Sequence, residues 1–342
     1  DKAANLAPFG LATPALQVSV TGKDNKTTTL QIGEDTPTGG AWYAKLDGDP
    51  RVFSISGGVK GGVDKNWRDL RDQRLITSDD QKLSRVELAA GKTPAVEFGR
   101  TGDSEWQILK PRPLRADGMT VDELVRKIRD TKLASTATDE QESKYAADFA
   151  AGTRVALVTL TDPSGAQSLD VRKKGEEYLA KSSAVETVAK VDKELADSLV
   201  KPLDDFRAKK LLEFGFSEPS KMDIRDAAKT YSISKSGEKW WQNGKEMDPT
   251  SVQSLIDKLR DLQATALLDA GFTTSVLDIA VVSSNGKRTE KIQFSKGSQT
   301  WFAKRENEPT VYAIDNKKVE DILGAAADVK APAPPTPPPA KK

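Results

Sequence analysis

The chain contains no histidine and no cysteine in 342 residues. Without histidine, Ser-His-Asp and Cys-His nucleophilic schemes have no base within this chain. Without cysteine, thiolate catalysis, disulfides and the usual Cys/His zinc sites are excluded. A carboxylate-only metal site or an Asp/Glu acid–base pair is the chemistry left open. Lack of cysteine suits an oxidising envelope compartment without deciding it. No apolar run reaches the roughly 18 residues that a membrane-spanning helix needs. Neither sign of charge dominates: 52 Lys and Arg against 51 Asp and Glu leave a net +1, with no basic stripe to favour DNA or RNA. A leader is also missing. The chain opens DKAANLAPFGLATP with no initiator Met, which reads as a start from which an anchor or leader is absent.

What is present is repetition. WYAKLDGDPRVFSI (42–55), YLAKSSAVETV (178–188) and WFAKRENEPTVYAI (301–314) share an aromatic, Ala-Lys, a polar turn and a short apolar ending. Around each lie alternating stretches such as LQVSV (16–20), ALVTL (156–160) and VLDIAVV (276–282), whose period of two predicts half-buried strands. Turn signals such as GKDN (22–25) and DGDP (47–50) separate them. TVDELVRKIRDTKL (120–133) reads as a helix with Thr120 and Glu123 at capping-box spacing, and a second helix starts at Asp248-Pro249. VDKNWRDLRDQRLI (63–76) is expected to close the first unit as a helix, and VETV (185–188) to be the fourth strand of the third. DLRDQRLI (69–76) matches DFRAKKLL (205–212), and from there the copies align without a gap, Val86 on Met222 and Leu88 on Ile224.

The fold class is therefore α+β, a tandem array of small antiparallel-sheet-plus-helix modules in alternating long and short versions. The boundaries are a connector at 1–15 left from a missing upstream module, a long module at 16–77 and a short one at 78–134. A linker (135–154), a long module (155–212), a short one (213–267) and a long one (268–325) follow, before a disordered Pro-rich tail (326–342). Units of this size bury only about 60% of their unfolded surface and are marginal alone, so neighbours are expected to stabilise one another.

Candidate sites are few. Lys45, Lys181 and Lys304 of the repeated Ala-Lys could form an anion-binding row. Strand alternation by itself, with the aromatic or aliphatic neighbour inward and lysine outward, gives the same pattern and favours scaffold. SGGVKGGVDK (56–65) lacks the Gly-Lys-Ser/Thr of a phosphate loop and reads as a flexible lead into a helix, so no cofactor is expected. Trp42 with Trp301, and Trp106 with one of Trp240/Trp241, fall at matching positions and read as core; Trp67 and Trp241 break the pattern and are the candidate ligand or partner contacts. Asp79-Asp80, Asp204-Asp205 and Glu176-Glu177 are the pairs a carboxylate-dependent hydrolase would need.

FGLATP (9–14), LQIGEDTPTGGAWYAKLDGDPRVFSIS (30–56), LRDQRLI (70–76) and the VEL…W…P…AD succession of 85–130 resemble a bacterial family known as domain of unknown function 4340. The likeness is good over 1–134 and weaker to about 325. It implies an extracytoplasmic envelope protein with one N-terminal membrane helix, often encoded beside ABC-type transport components. It supplies no catalytic residue. The function expected is a non-catalytic, membrane-anchored periplasmic scaffold with protein partners in a membrane complex. The alternatives are an envelope-glycan binder and a carboxylate-dependent hydrolase.

Overall fold

The computed structural model describes residues 3–100, 105–134, 136–215 and 217–332. The first unit is a meander of β1 (Leu16–Thr21), β2 (Thr27–Asp35), β3 (Ala41–Leu46) and β4 (Phe53–Ser56), followed by helix α1 (Gly57–Val63). A single turn, α2 (Trp67–Leu70), leads to β5 (Arg85–Ala90), β6 (Val96–Arg100), β7 (Trp106–Lys110), β8 (Leu114–Arg115) and α3 (Gly118–Arg129). Helix α4 (Asp139–Ala151) joins this to β9 (Thr153–Asp162), β10 (Gly165–Lys174), β11 (Glu177–Ser182), β12 (Ala189–Val191) and α5 (Lys193–Leu199). The fourth unit is β13 (Lys221–Asp226), β14 (Thr230–Ser236), β15 (Lys239–Gln242), β16 (Lys245–Met247) and α6 (Pro249–Arg260). After the short β17 (Ala266–Leu268) comes the fifth: β18 (Leu277–Ser283), β19 (Arg288–Lys296), β20 (Trp301–Arg305), β21 (Val311–Ile314) and α7 (Asn316–Ala327). Each unit is thus four antiparallel strands and a helix, and the array alternates as expected.

Units join edge to edge. β5 pairs antiparallel with β9, and β13 with β18, so the second and third units share one sheet of order β12-β11-β10-β9-β5-β6-β7-β8. The fourth and fifth share another, β16-β15-β14-β13-β18-β19-β20-β21-β17, while the first keeps its own four strands. Within each seam the apolar positions face one another: Leu88 with Val158 and Val86 with Leu160, Ile224 with Ile279 and Met222 with Val281. All of them are buried. These side chains point to the face covered by helices, since alternate residues of a strand lie on one side. The apolar stripe of α3 (Val121, Leu124, Val125, Ile128) lies there with Leu195 and Leu199 of α5. Val252, Leu255, Ile256 and Leu259 of α6 and Val319 and Ile322 of α7 do the same for the other sheet. Each two-unit body therefore has one core and two helices on one face, with the opposite face open except where α4 covers the third unit.

Three repeated devices fix the units. The third strand of every unit begins with an aromatic residue beneath a cation: Lys60 over Trp42, Arg100 over Trp106, Lys173 over Tyr178, Lys235 over Trp240 and Lys296 over Trp301. An aspartate precedes four of the helices, with Asp117, Asp248 and Asp315 accepting a first-turn N–H and Asp192 in the same place. The extended stretch after a long unit clips to the end of the neighbouring helix region. Leu75 N–H donates to the Thr131 carbonyl at 3.2 Å, and Leu211 N–H to that of Leu262 at 3.0 Å.

Several expectations are corrected. Residues 63–76 are not one helix: α1 occupies the glycine-rich stretch itself, α2 is one turn capped by Asn66, and 71–76 is extended. α3 starts earlier than expected, capped by Asp117, which accepts from Thr120 N–H at 3.0 Å. The fourth strand of the third unit is Ala189–Val191, not 185–188. At the end, α7 continues to Ala327 and the Lys330 carbonyl accepts from Asp248 N–H at 2.7 Å, so packed chain runs past 325. The rest of the expected tail, 333–342, lies outside the described residues.

Candidate functional site

The Ala-Lys repeat is resolved by the strand pleat. Ala44, Ala180 and Ala303 are the inward residues, all fully buried. Tyr43, Leu179 and Phe302 lie on the lysine side of the sheet, contrary to the expectation that the aromatic or aliphatic neighbour points inward. They need their own cover there. Phe9 packs edge-on against Tyr43, ring centroids 4.9 Å apart. Leu179 clusters with Phe149 of α4 and Val188. A Cβ on Gly271 would lie 3.1 Å from the Phe302 ring. FGLATP (9–14) thus patches the outer face of the first unit, the similar AGFTTS (270–275) that of the fifth, and α4 that of the third. Gly33 admits the first patch, because a Cβ there would fall 2.0 Å from the Phe9 carbonyl oxygen.

Lys45, Lys181 and Lys304 occupy equivalent positions on β3, β11 and β20, one in each of the three sheets, and converge on no common point. Lys304 lies over the Phe272 ring at 5.4 Å and Lys45 Nζ donates to the Leu46 carbonyl at 3.2 Å. Trp241 is half-buried on β15, opposite Ser234 and Glu246. Trp67 is 59% exposed on α2, with the guanidinium groups of Arg68 and Arg71 at 4.5 and 5.0 Å from its ring. Those arginines also hold the first turn of α4 through Asp139 and Glu142.

At least one member of each carboxylate pair is held by a cation. Asp79 is drawn below the usual range by its bond to Lys82. Glu177 is drawn down by Lys190 at 2.7 Å. Asp204 pairs with Arg207 at 2.9 Å, and Glu176 with Lys173 at 3.6 Å. A general acid needs a carboxyl raised by burial or by a like charge, and Asp79 and Glu177 lie the other way. Among the described residues no cluster of three or more acidic side chains is placed to hold a metal.

Two of the concave regions among the described residues bear on function. One is a groove of about 720 Å³ on the open face of the nine-stranded sheet, across the β13/β18 seam. Its floor is polar and internally paired: Asp223 with Lys221 at 2.8 Å and Ser232 at 2.6 Å, Lys291 with Glu306 at 3.1 Å. The other is the cleft of about 550 Å³ between the two-unit bodies, lined by Trp106, Arg115, Asp122 and Glu213. Beneath that cleft runs a chain of ion pairs. Arg115 bonds Glu213; Arg288 bonds Glu213 at 3.1 Å and Glu105 at 3.1 Å; Arg305 bonds Glu290 at 3.2 Å and Glu308 at 2.9 Å. Glu290 also accepts the Glu213 backbone N–H at 3.0 Å, and Tyr312 donates to Glu308 at 2.7 Å. Arg115 and Glu105 come from one body, the rest from the other. No sequence motif marks this network, because its members are scattered over both bodies; only the fold collects them.

Burial pushes the Tyr312 phenol up to about 12, with Arg115 opposing the rise and Glu308 adding to it. Because the unfolded phenol releases its proton near 10, stability falls as pH rises from about 10 through about 12. The loss over that window is about 2–3 kcal/mol at most. Tyr312→Phe should remove this part of the alkaline slope, as read by urea denaturation at several pH values for both proteins.

This architecture matches a recorded family. The model of the family described as "Domain of unknown function (DUF4340)" matches residues 1–150 and again 106–278. The chain belongs to the DUF4340 family. The second match begins inside the first, as it should where one plan recurs along a chain. No curated protein and no solved structure matches this DUF4340 chain.

Proposed function

We propose that this protein is a non-catalytic extracytoplasmic interaction scaffold, held at the membrane by an N-terminal anchor as an accessory subunit of a membrane complex, with ABC-type transport as the candidate complex. The observation that carries the reading is the partly buried ion-pair chain from Glu105 to Glu308, which ties two bodies together while leaving much of their polar sheet faces open. A partner-binding rod needs a fixed spacing between its surfaces. The downward-shifted carboxylates and the absence of histidine and cysteine agree with a structural role, and the resemblance to anchored envelope proteins supports the compartment. None of the helices is long and apolar enough to cross a membrane among the described residues, so the anchor belongs to the resemblance.

The test is in-cell crosslinking of the full-length protein with mass spectrometry. Reproducible links from the groove lysines Lys221 and Lys291 to a membrane subunit are the expected outcome, and Asp223→Arg should weaken them. Background links alone, from abundant folded protein, would reject the scaffold. Glycan binding is the second reading, favoured by exposed Trp67; quenching of tryptophan emission by cell-wall fragments, absent in Trp67→Phe, would then take its place.

A further inference from the structure

The first strand of a long unit appears three times, and in two of them its outer edge is filled. β9 carries β5 and β18 carries β13, both antiparallel. β1 carries nothing on that side among the described residues. Its side chains register the difference. Cross-strand pairing aligns Leu16 with Ala156 and Leu277, because each lies opposite the residue that in turn faces the buried alanine of the third strand. Val18 then corresponds to Val158 and Ile279, and Val20 to Leu160 and Val281. Leu160 and Val281 are fully buried, whereas Val20 is 65% exposed.

The edge is also unguarded. The other terminal strands are short: β8 has 2 residues, β12, β16 and β17 have 3 each, and β4 has 4. β1 has 6, reading LQVSVT, with no charge and no proline to block a further strand. The helix is uncovered too. α3 packs beside α5 and α6 beside α7, but α1 has no comparable helix packed on it among the described residues, buries none of its residues, and leaves Val59 48% exposed.

The filled seams define what fits. The short unit's Leu88 occupies the same place in its meander as Val158 does in the long one, since Val86–Phe98–Ile108 and Ala156–Val171–Ala180 are matching cross-strand rows. Leu88 faces Val158, so equivalent positions meet and a local two-fold axis passes between them. Ile224 facing Ile279 repeats this. An edge built on that rule is self-complementary.

We propose that β1 pairs antiparallel with β1 of a second copy of this chain, Val18 opposite Val18 on the two-fold axis and Leu16 opposite Val20. The product is an eight-stranded sheet like that of the second and third units, with the two α1 helices side by side. Gln17 and Ser19 are the outward residues and oppose no like charges. The apolar row Leu16, Val18 and Val20 continues across the axis, and Val59 gains cover.

The cysteine-free sequence allows a register-specific test on the whole chain. Val18→Cys should oxidise to a covalent dimer, since opposed residues of an antiparallel pair lie about 4.5–5.5 Å apart. Val20→Cys should stay monomeric, because its own copy is about 13 Å away along the strand, beyond disulfide reach. Mixing Leu16→Cys with Val20→Cys should restore the crosslink between the two variants. By sedimentation the unmodified chain should show a concentration-dependent doubling of mass that Val20→Lys abolishes. A chain that stays monomeric, with Val18→Cys crosslinking no faster than the exposed Met119→Cys, overturns the proposal and leaves the edge to a short-type module, whether upstream in the same polypeptide or in another.

Discussion

Glu290→Ala should destabilise the protein by about 3–5 kcal/mol, the usual cost of deleting one partner from a buried ion-pair group. Glu290 is only 5% exposed and faces Arg305, Arg288 and the Glu213 N–H. Its removal leaves an orphaned backbone donor and withdraws one carboxylate from each guanidinium. Arg305 keeps Glu308 and Arg288 keeps Glu105, and every partner of Glu290 lies in its own two-unit body, so the loss falls on the fourth and fifth units rather than on the contact between bodies. Urea denaturation is therefore expected to broaden or split as that body unfolds before the other. Glu290→Gln, which retains an acceptor for the Glu213 N–H, should cost less. Equal stability of Glu290→Ala and the unmodified protein would mean that these ion pairs add nothing to the stability of their own body.

A second large effect concerns the seam. A fragment spanning 209–330 contains β13 to β21, α6 and α7 with their common core and should melt in one sharp transition. The single unit 221–267 should show no cooperative melt by circular dichroism. Cutting between them exposes Met222, Ile224, Ile279 and Val281, all buried, each worth about 1.5–3 kcal/mol of burial. That sum is comparable to the whole stability of a small domain. A sharp transition from 221–267 would show that one meander and helix suffice.

The sequence made the meanders legible because half-buried strands alternate and turns carry Gly, Asn and Asp. VLDIAVV, KIQF and TWFAK all lie on strands. It misled where two signals conflict. GGVKGG has the composition of a loop yet forms α1, against its propensity; Trp67, Leu70 and Arg74 looked like a helical stripe, yet the chain is extended from Arg71. The Ala-Lys phrase showed a strand but not its inward side, because alanine is short enough to be overlooked as core. Edge pairing of units was hidden altogether: nothing local in RVEL says that it will lie beside ALVTL. Of the candidate contacts, Trp67's exposure was foreshadowed by its break from the repeat, whereas the Arg115–Glu308 network had no local signal.

The seam also sets an order of events during synthesis. β5 emerges well before β9, its partner, because the rest of the short unit and all of α4 lie between them. β13 waits in the same way for β18. Pairings between segments this far apart in sequence form late, after the local hairpins. Throughout that wait the nascent chain presents a ready strand with alternating apolar side chains, the form most prone to wrong association. A chaperone that holds the chain until the second meander has emerged would therefore raise the yield of folded protein. A pause in translation inside α4 should lower it.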